Sequence, residues 1–246
     1  IYLDQEYSNF ESSFAEPYDK GVVLKDSELV YNYYKAASQL ELFRTGELPT
    51  SEVFDIDKLA KFHAVIDLVG GHHSLDWSDV KFYYNSTTGK VEPVGYESFS
   101  VRKSNSIAGQ QIPNDYDKIK FNYHAQLFAD PVFFSKYISE LERIADEDYI
   151  HSFFESIKEA LDKKRGIIAK EWAYRKFGLD GYYENIRLIR NNLNLPKPCH
   201  AFVEFNSKDS LVLNITPISD FPIEILGVKN KGKEISLEEK KVLPAK

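Results

Sequence analysis

Methionine is missing altogether from this chain of 246 residues, an odd absence at this size that points either to an unusual source or to modified methionines left out of the sequence. There is one cysteine, Cys199, which excludes an intrachain disulfide and any metal cage built on thiolates. That economy suits a cytoplasmic protein and equally a large secreted one held by its core. No apolar run approaches the roughly 20 residues of a membrane span, and no signal peptide is visible. The sequence starts at Ile1, so it is expected to be a processed or excised piece. The phosphate-cradling patterns GxxxxGK[ST] and GxGxxG do not occur, nor does the nucleophile elbow GxSxG.

Apolar residues make up 43%, enough for a sizeable core, and 16 Tyr with 17 Phe make that core rich in rigid rings. Disorder does not fit this composition. The formal net charge of −7 argues against non-specific binding to nucleic acid or anionic membranes, while leaving room for a local basic patch.

The spacing of apolar residues predicts an α+β chain in two parts. Residues 1–26 are aromatic and acidic, with at most a short strand over 21–25. A helix opens at Ser27 with Val30, Tyr33, Tyr34, Ala37 and Leu40 on one face, and Gly46 and Pro49 end it. Asp55 is the expected N-cap of the next helix, with Leu59, Phe62, Ile66 and Val69 as its apolar face and Gly70-Gly71 as its stop. Residues 80–85 and 90–95 read as two strands joined by the turn NSTTG. A polar loop over 98–120 follows.

Further helices carry Phe134, Tyr137, Ile138, Leu141 and Ile144 after the Asp130-Pro131 start, then Ile150, Phe153, Phe154, Ile157 and Leu161. A segment with Ile167, Ile168 and Trp172 ends at Gly178, and Asp180 caps a last helix through Leu193. The Leu195-Pro196-Lys197-Pro198 stretch then reads as a linker between a largely helical part, 1–195, and a β-rich part, 199–246. In the second part 201–205, 211–215 and 223–228 are the strand-like runs.

The densest chemistry lies between the second helix and the hairpin. His72, His73, Asp76 and Asp79 fall within eight residues, beside Trp77. Imidazole and carboxylate together suit zinc or a similar ion, although the spacing matches no closed zinc template. The plainer reading is that His72 and His73 cap the preceding helix and bond loop backbone. His63, on the apolar side of its helix, reads as a core histidine. Glu97 follows the second strand, across the hairpin from Asp79. Such a pair suits Mg²⁺, which takes one or two carboxylates with water and phosphate. As a plain alternative, both are solvated charges at a sheet edge. Lys163-Lys164-Arg165 sits on a helix end and reads as a solvated run.

Three stretches resemble the CotH (spore-coat protein H) kinase family, together covering about residues 50–195. They are the Asp57-Lys58-Leu59-Ala60-Lys61 helix opening that leads to Gly70-Gly71, the segment KFYYNSTTGKVEPVGYE over 81–97, and Leu127-Phe128-Ala129-Asp130-Pro131-Val132-Phe133 with Tyr137 beyond it. The resemblance implies a mostly helical kinase-like C-lobe around a small β-hairpin. It implies ATP with Mg²⁺ or Mn²⁺ as cofactors, a protein hydroxyl as phosphate acceptor, and an extracellular or cell-surface location.

Carried over by position, the metal-binding residues are Asp79 and Glu97, where the family has Asn and Asp. The catalytic position falls near His73 or Ser74, with Asp76 as the nearest carboxylate. Residues 1–26 are too short for a kinase N-lobe, and Lys20 and Lys25 match its phosphate-binding lysine only in charge. The strands after 199 resemble the start of an immunoglobulin-like module. Two other functions are weighed beside kinase activity. One is an inactive pseudokinase or binding module whose Trp77, Tyr83 and Tyr96 contact protein or sugar. The other is a metal-dependent hydrolase built on His72, His73 and Asp76.

Overall fold

The structure is a computed structural model that describes residues 10, 14–77, 79–96, 101–110, 123–146, 148–174, 177–219, 221–230 and 232–243. Short acidic side chains set many of the helix starts. Asp19 accepts from the Val22 N–H and turns Lys20–Val23 into helix α1, where the sequence pattern points to a strand. The local cap wins there because no partner strand among the described residues offers a ladder. Asp26 takes the N–H groups of Glu28 and Leu29 to open α2 (Ser27–Arg44). After α3 (Thr50–Val53), Asp55 caps α4 (Ile56–Val69) through the Lys58 N–H. These carboxylates satisfy donors that have no partner within their own helices.

The expected hairpin forms as β1 (Lys81–Asn85) and β2 (Lys90–Val94), antiparallel, with Tyr83 opposite Glu92. The Asn85 carboxamide accepts from the Thr87 and Thr88 N–H groups and shapes the turn. β2 is tied to the start of α4 by Asp55 N–H on Val91 O at 2.9 Å, and Val91 is buried. α5 (Tyr123–Phe128) leads into α6 (Pro131–Ile144), whose N-cap Asp130 does two things. One oxygen takes the Val132 N–H and the other takes the Ser51 N–H of α3 at 2.7 Å. Burial pushes the Asp130 carboxyl up, but these bonds outweigh it and hold it below the usual range.

α4 is the central element. It packs along α6 and against β2, so its buried face is wider than the single stripe in the sequence. Ala60, His63, Ala64, Asp67 and Leu68 join Leu59 and Ile66 inside, and Phe62 and Val69 are half-buried. Edge-to-face ring contacts fill the neighbouring space, among them Phe43 on Phe54 and His63 on Phe133.

α7 (Tyr149–Ser156) and α8 (Lys158–Glu171) break at Ile157, so Leu161 and Ile168 share one helix instead of two. α9 (Asp180–Leu193) buries Asn185, Ile186 and Ile189.

The chain divides into two compact units, Ile1–Arg190 and Asn191–Lys246. The second holds two antiparallel hairpins, β3 (Cys199–Asn206) with β4 (Leu211–Pro217), and β5 (Ile223–Asn230) with β6 (Lys233–Leu243). Ser207 shapes the first turn by accepting the Asp209 and Ser210 N–H groups on its hydroxyl. β6 has no counterpart in the sequence reading, because KEISLEEKKVL is dominated by charge and does not alternate cleanly. The architecture is α+β: a largely helical chain with small antiparallel strand pairs.

Candidate functional site

Gly70 ends α4 in the left-handed conformation, at φ 65°, and a Cβ there would lie 2.1 Å from the Arg102 carbonyl oxygen. Only glycine admits both the turn and the close approach of the 101–104 strip. The chain then coils tightly. A 3-10 turn covers His72–Leu75, with Ser74 N–H and Oγ–H both on the Gly71 carbonyl. Two more turns follow, Asp79 N–H on Asp76 O at 2.9 Å and Val80 N–H on Asp76 O at 2.8 Å. Leu75 is fully buried, and Trp77 packs edge-on against Phe10 at 5.0 Å and tilted on Tyr123 at 5.1 Å. Beside these two apolar anchors His73, Asp76 and Asp79 lie on the outer side of the coil, while Ser74 is buried.

This coil brings His73, Asp76 and Asp79 together. His73 Nδ1 lies 3.4 Å from an Asp76 oxygen, and Nε2 lies 3.7 Å from an Asp79 oxygen. One donor atom from each of the three residues falls within 4.8 Å of the others. The His73 side chain is 58% exposed, Asp76 35% and Asp79 31%, so the group is open to solvent. Donors around a small divalent cation stand about 3–4 Å apart when its bonds are about 2.1 Å. The 4.8 Å spread of the three is wider than that, and the two short contacts use different nitrogens of His73, so one ion would draw the side chains closer together; the donor types, two carboxylates and an imidazole, are those that Mn²⁺ or Mg²⁺ with water takes. Glu97, the other proposed metal ligand, lies outside the described residues.

His72 goes the other way. Its Nε2–H donates to Asp67 Oδ1 at 2.7 Å, so the adjacent histidines split, one inward and one outward. His72 thus bonds a side chain of α4, not loop backbone, and stays out of the His73 group. Asp67 is 1% exposed and accepts two further bonds, from Ala108 N–H at 2.8 Å and from the Tyr137 hydroxyl at 2.6 Å. Burial, with the Asp67 carboxylate beside it, pushes the Tyr137 hydroxyl well above its ordinary pKa and keeps it a donor. Asn185 of α9 closes the junction, with its amide on the Leu68 and Arg102 carbonyls and its oxygen taking the Ser104 N–H.

Ser104, His72 and Asp67 lie in a row, which is the order of a nucleophile, its base and an orienting acid. The row does not work as one. The Ser104 hydroxyl stands 3.4 Å from His72 Nδ1 and gives its proton to the Ser106 carbonyl at 2.6 Å. The row braces α4, α6, α9 and the 101–110 segment behind the outward-facing coil. A carboxylate at position 67, on the buried side of a helix and four residues after His63, was the sequence signal for this brace. Its partners lie tens of residues away and carried no local signal.

His63 sits in the same interior. Its Nδ1–H donates to Leu59 O at 2.9 Å, and Nε2 is buried with no partner among the described residues. Burial lowers its pKa to about 3, and it stays neutral. Comparison with known protein families, with characterised proteins and with solved structures finds no match.

Proposed function

We propose that the first unit is a kinase-like domain of the CotH type that transfers phosphate from ATP to a protein hydroxyl with Mg²⁺ or Mn²⁺. The observation that supports it best is the outward-facing group of His73, Asp76 and Asp79 at the entry to the β-hairpin. That place in the chain is where the resemblance puts the metal and the catalytic residue. Phosphoryl transfer asks little covalent chemistry of a protein and depends on positioning and on neutralising charge.

In this reading Asp79 and Glu97 would hold the ion, whose charge would offset that of the phosphates. Asp76 orients the acceptor hydroxyl and His73 takes its proton. The acceptor oxygen bonds to the γ-phosphorus, the bond from that phosphorus to the bridging oxygen breaks, and ADP leaves with the electron pair. Asp79 adds a negative charge where the family has a neutral amide, so a bound ion would have one more charge to offset.

The test is a thermal melt with Mn²⁺ alone and with Mn²⁺ plus ATP. Ligand at a hundred times its dissociation constant adds about 2.7 kcal/mol of stability. Stabilisation by the pair, abolished by Asp79→Ala, is the expected result. Stabilisation by Mn²⁺ without any added effect of ATP would reduce the site to a metal-binding one. No response to either would leave the binding-module reading, in which the exposed rings of Tyr83 and Tyr96 meet a partner.

A further inference from the structure

We propose that the second half of α8 is a membrane-contact element that seats on an anionic lipid surface. Among the described residues the helix is half-buried at its start and exposed beyond it. Ile157 and Leu161 are half-buried, and every residue over 162–174 is exposed. A solvated helix is ordinarily polar, yet this one carries Ile167 at 54% and Ile168 at 50% exposure, with Trp172 and Tyr174 just beyond. Trp172 follows the last helical residue, and its N–H bonds the Ile168 carbonyl at 2.9 Å, which keeps it next to the end of the helix.

Cations bracket the two isoleucines along the axis, with Lys163, Lys164 and Arg165 before them and Lys170 after. The only carboxylates over 162–174 are Asp162 and Glu171, in a chain whose net charge is −7. Arg165 pairs with Asp162 at 3.5 Å, while Lys163, Lys164 and Lys170 make no ion pair among the described residues. The rest of the chain repels an anionic surface. Screening confines that repulsion to about 8–10 Å at physiological salt, so a patch exposed on all sides acts by its own charge.

The composition favours lipid over protein. Two isoleucines and two rings on one helix end offer a few hundred Å² at most, well below the 1,000 Å² or so of a stable protein interface. Tryptophan and tyrosine beside lysine are the residues of the lipid boundary: the rings sit at headgroup depth, and lysine stems lie along the apolar layer with their ammonium groups on the phosphates.

The experiment is co-sedimentation of the whole chain with vesicles of two parts phosphatidylcholine to one part phosphatidylserine, and with pure phosphatidylcholine vesicles. The chain is expected to pellet with the first and not the second. Lys163→Gln with Lys164→Gln should lower partitioning about thirty-fold, and Ile167→Ser with Ile168→Ser should abolish it. Each substitution sits on an exposed face, and an unchanged melting temperature shows that the variants fold. Failure to pellet with anionic vesicles at low salt overturns the proposal. Retention of binding by the isoleucine variant overturns it too. So does self-association of the chain, without vesicle binding, that this variant removes.

Discussion

The Tyr137 hydroxyl donates to the Asp67 carboxylate at 2.6 Å, joining α6 to α4 across 70 residues of sequence, and accepts the Gly109 N–H at 3.2 Å on its other side. Both side chains are buried, so neither group can turn to water if the other is removed. Tyr137→Phe keeps the ring and strands two polar groups, and it should cost about 2 kcal/mol in urea unfolding. Asp67→Ala strands three donors at once and should cost more, about 3–5 kcal/mol. Equal losses for the two variants would mean that Asp67 is not the centre of the junction.

The turn behind the candidate site makes a second demand. Alanine at position 70 would have to adopt a left-handed backbone and place its Cβ 2.1 Å from the Arg102 carbonyl. The backbone term alone costs about 1 kcal/mol, and the clash must push the 101–104 strip away. That strip carries Ser104 and is held by Arg102 N–H on Val69 O at 2.9 Å. Gly70→Ala should therefore lower stability by about 2 kcal/mol or more and speed amide exchange at Arg102 and Ser104. A stability loss without faster exchange there would place the strain elsewhere.

How much of this was legible beforehand depended on the distance between partners. Asp55, Gly70 and Asp130-Pro131 act within a turn of the helix ends they set, and each reads directly from the sequence. The β1–β2 hairpin is equally local, since Asn85 builds its own turn. His63 was readable as a core residue because it lies on an apolar face. The brace around Asp67 was not readable, since Ala108, Tyr137 and Asn185 are brought to it only by packing. At the candidate site, His72 and His73 are alike in sequence. Their divergence follows from the 3-10 turn that points one at Asp67 and the other at Asp76 and Asp79. β6 was hidden for another reason, its lysines and glutamates masking the period of a paired strand.

Acid should weaken the fold through His63. Burial holds the folded imidazole near pKa 3, while the unfolded value is about 6.5. The unfolded state therefore takes up a proton as pH falls below about 6.5 and the folded state does not. Stability is full above that pH and is lost as pH falls, at up to about 1.4 kcal/mol per unit. Asp130 works in the same direction but lower. Its folded pKa is depressed, so its contribution is present above about pH 3.9 and disappears as pH falls further. His63→Leu should flatten the pH dependence of the urea midpoint between about pH 6.5 and 4.5, where Asp130 does not contribute. Parallel curves for the two proteins would show that His63 finds a way to charge in the folded state.

The outward group of His73, Asp76 and Asp79 calls for a test that separates holding an ion from holding the loop. The three side chains are partly exposed, and the coil that carries them is fastened by Leu75 and Trp77. Removing one ligand should therefore spare the fold. Asp79→Ala should weaken Mn²⁺ binding tenfold or more by calorimetry, with a melting temperature in the absence of metal within about 2 °C of the parent, and should lose the ATP-dependent part of the stabilisation. Asp76→Asn and His73→Ala should weaken Mn²⁺ binding less than Asp79→Ala does and should instead lower phosphoryl transfer by about 10²-fold or more, as expected for groups that orient the acceptor and take its proton. If Asp79→Ala bound Mn²⁺ as the parent does, the ion would sit elsewhere, and the coil would be a surface turn whose charges merely face one another.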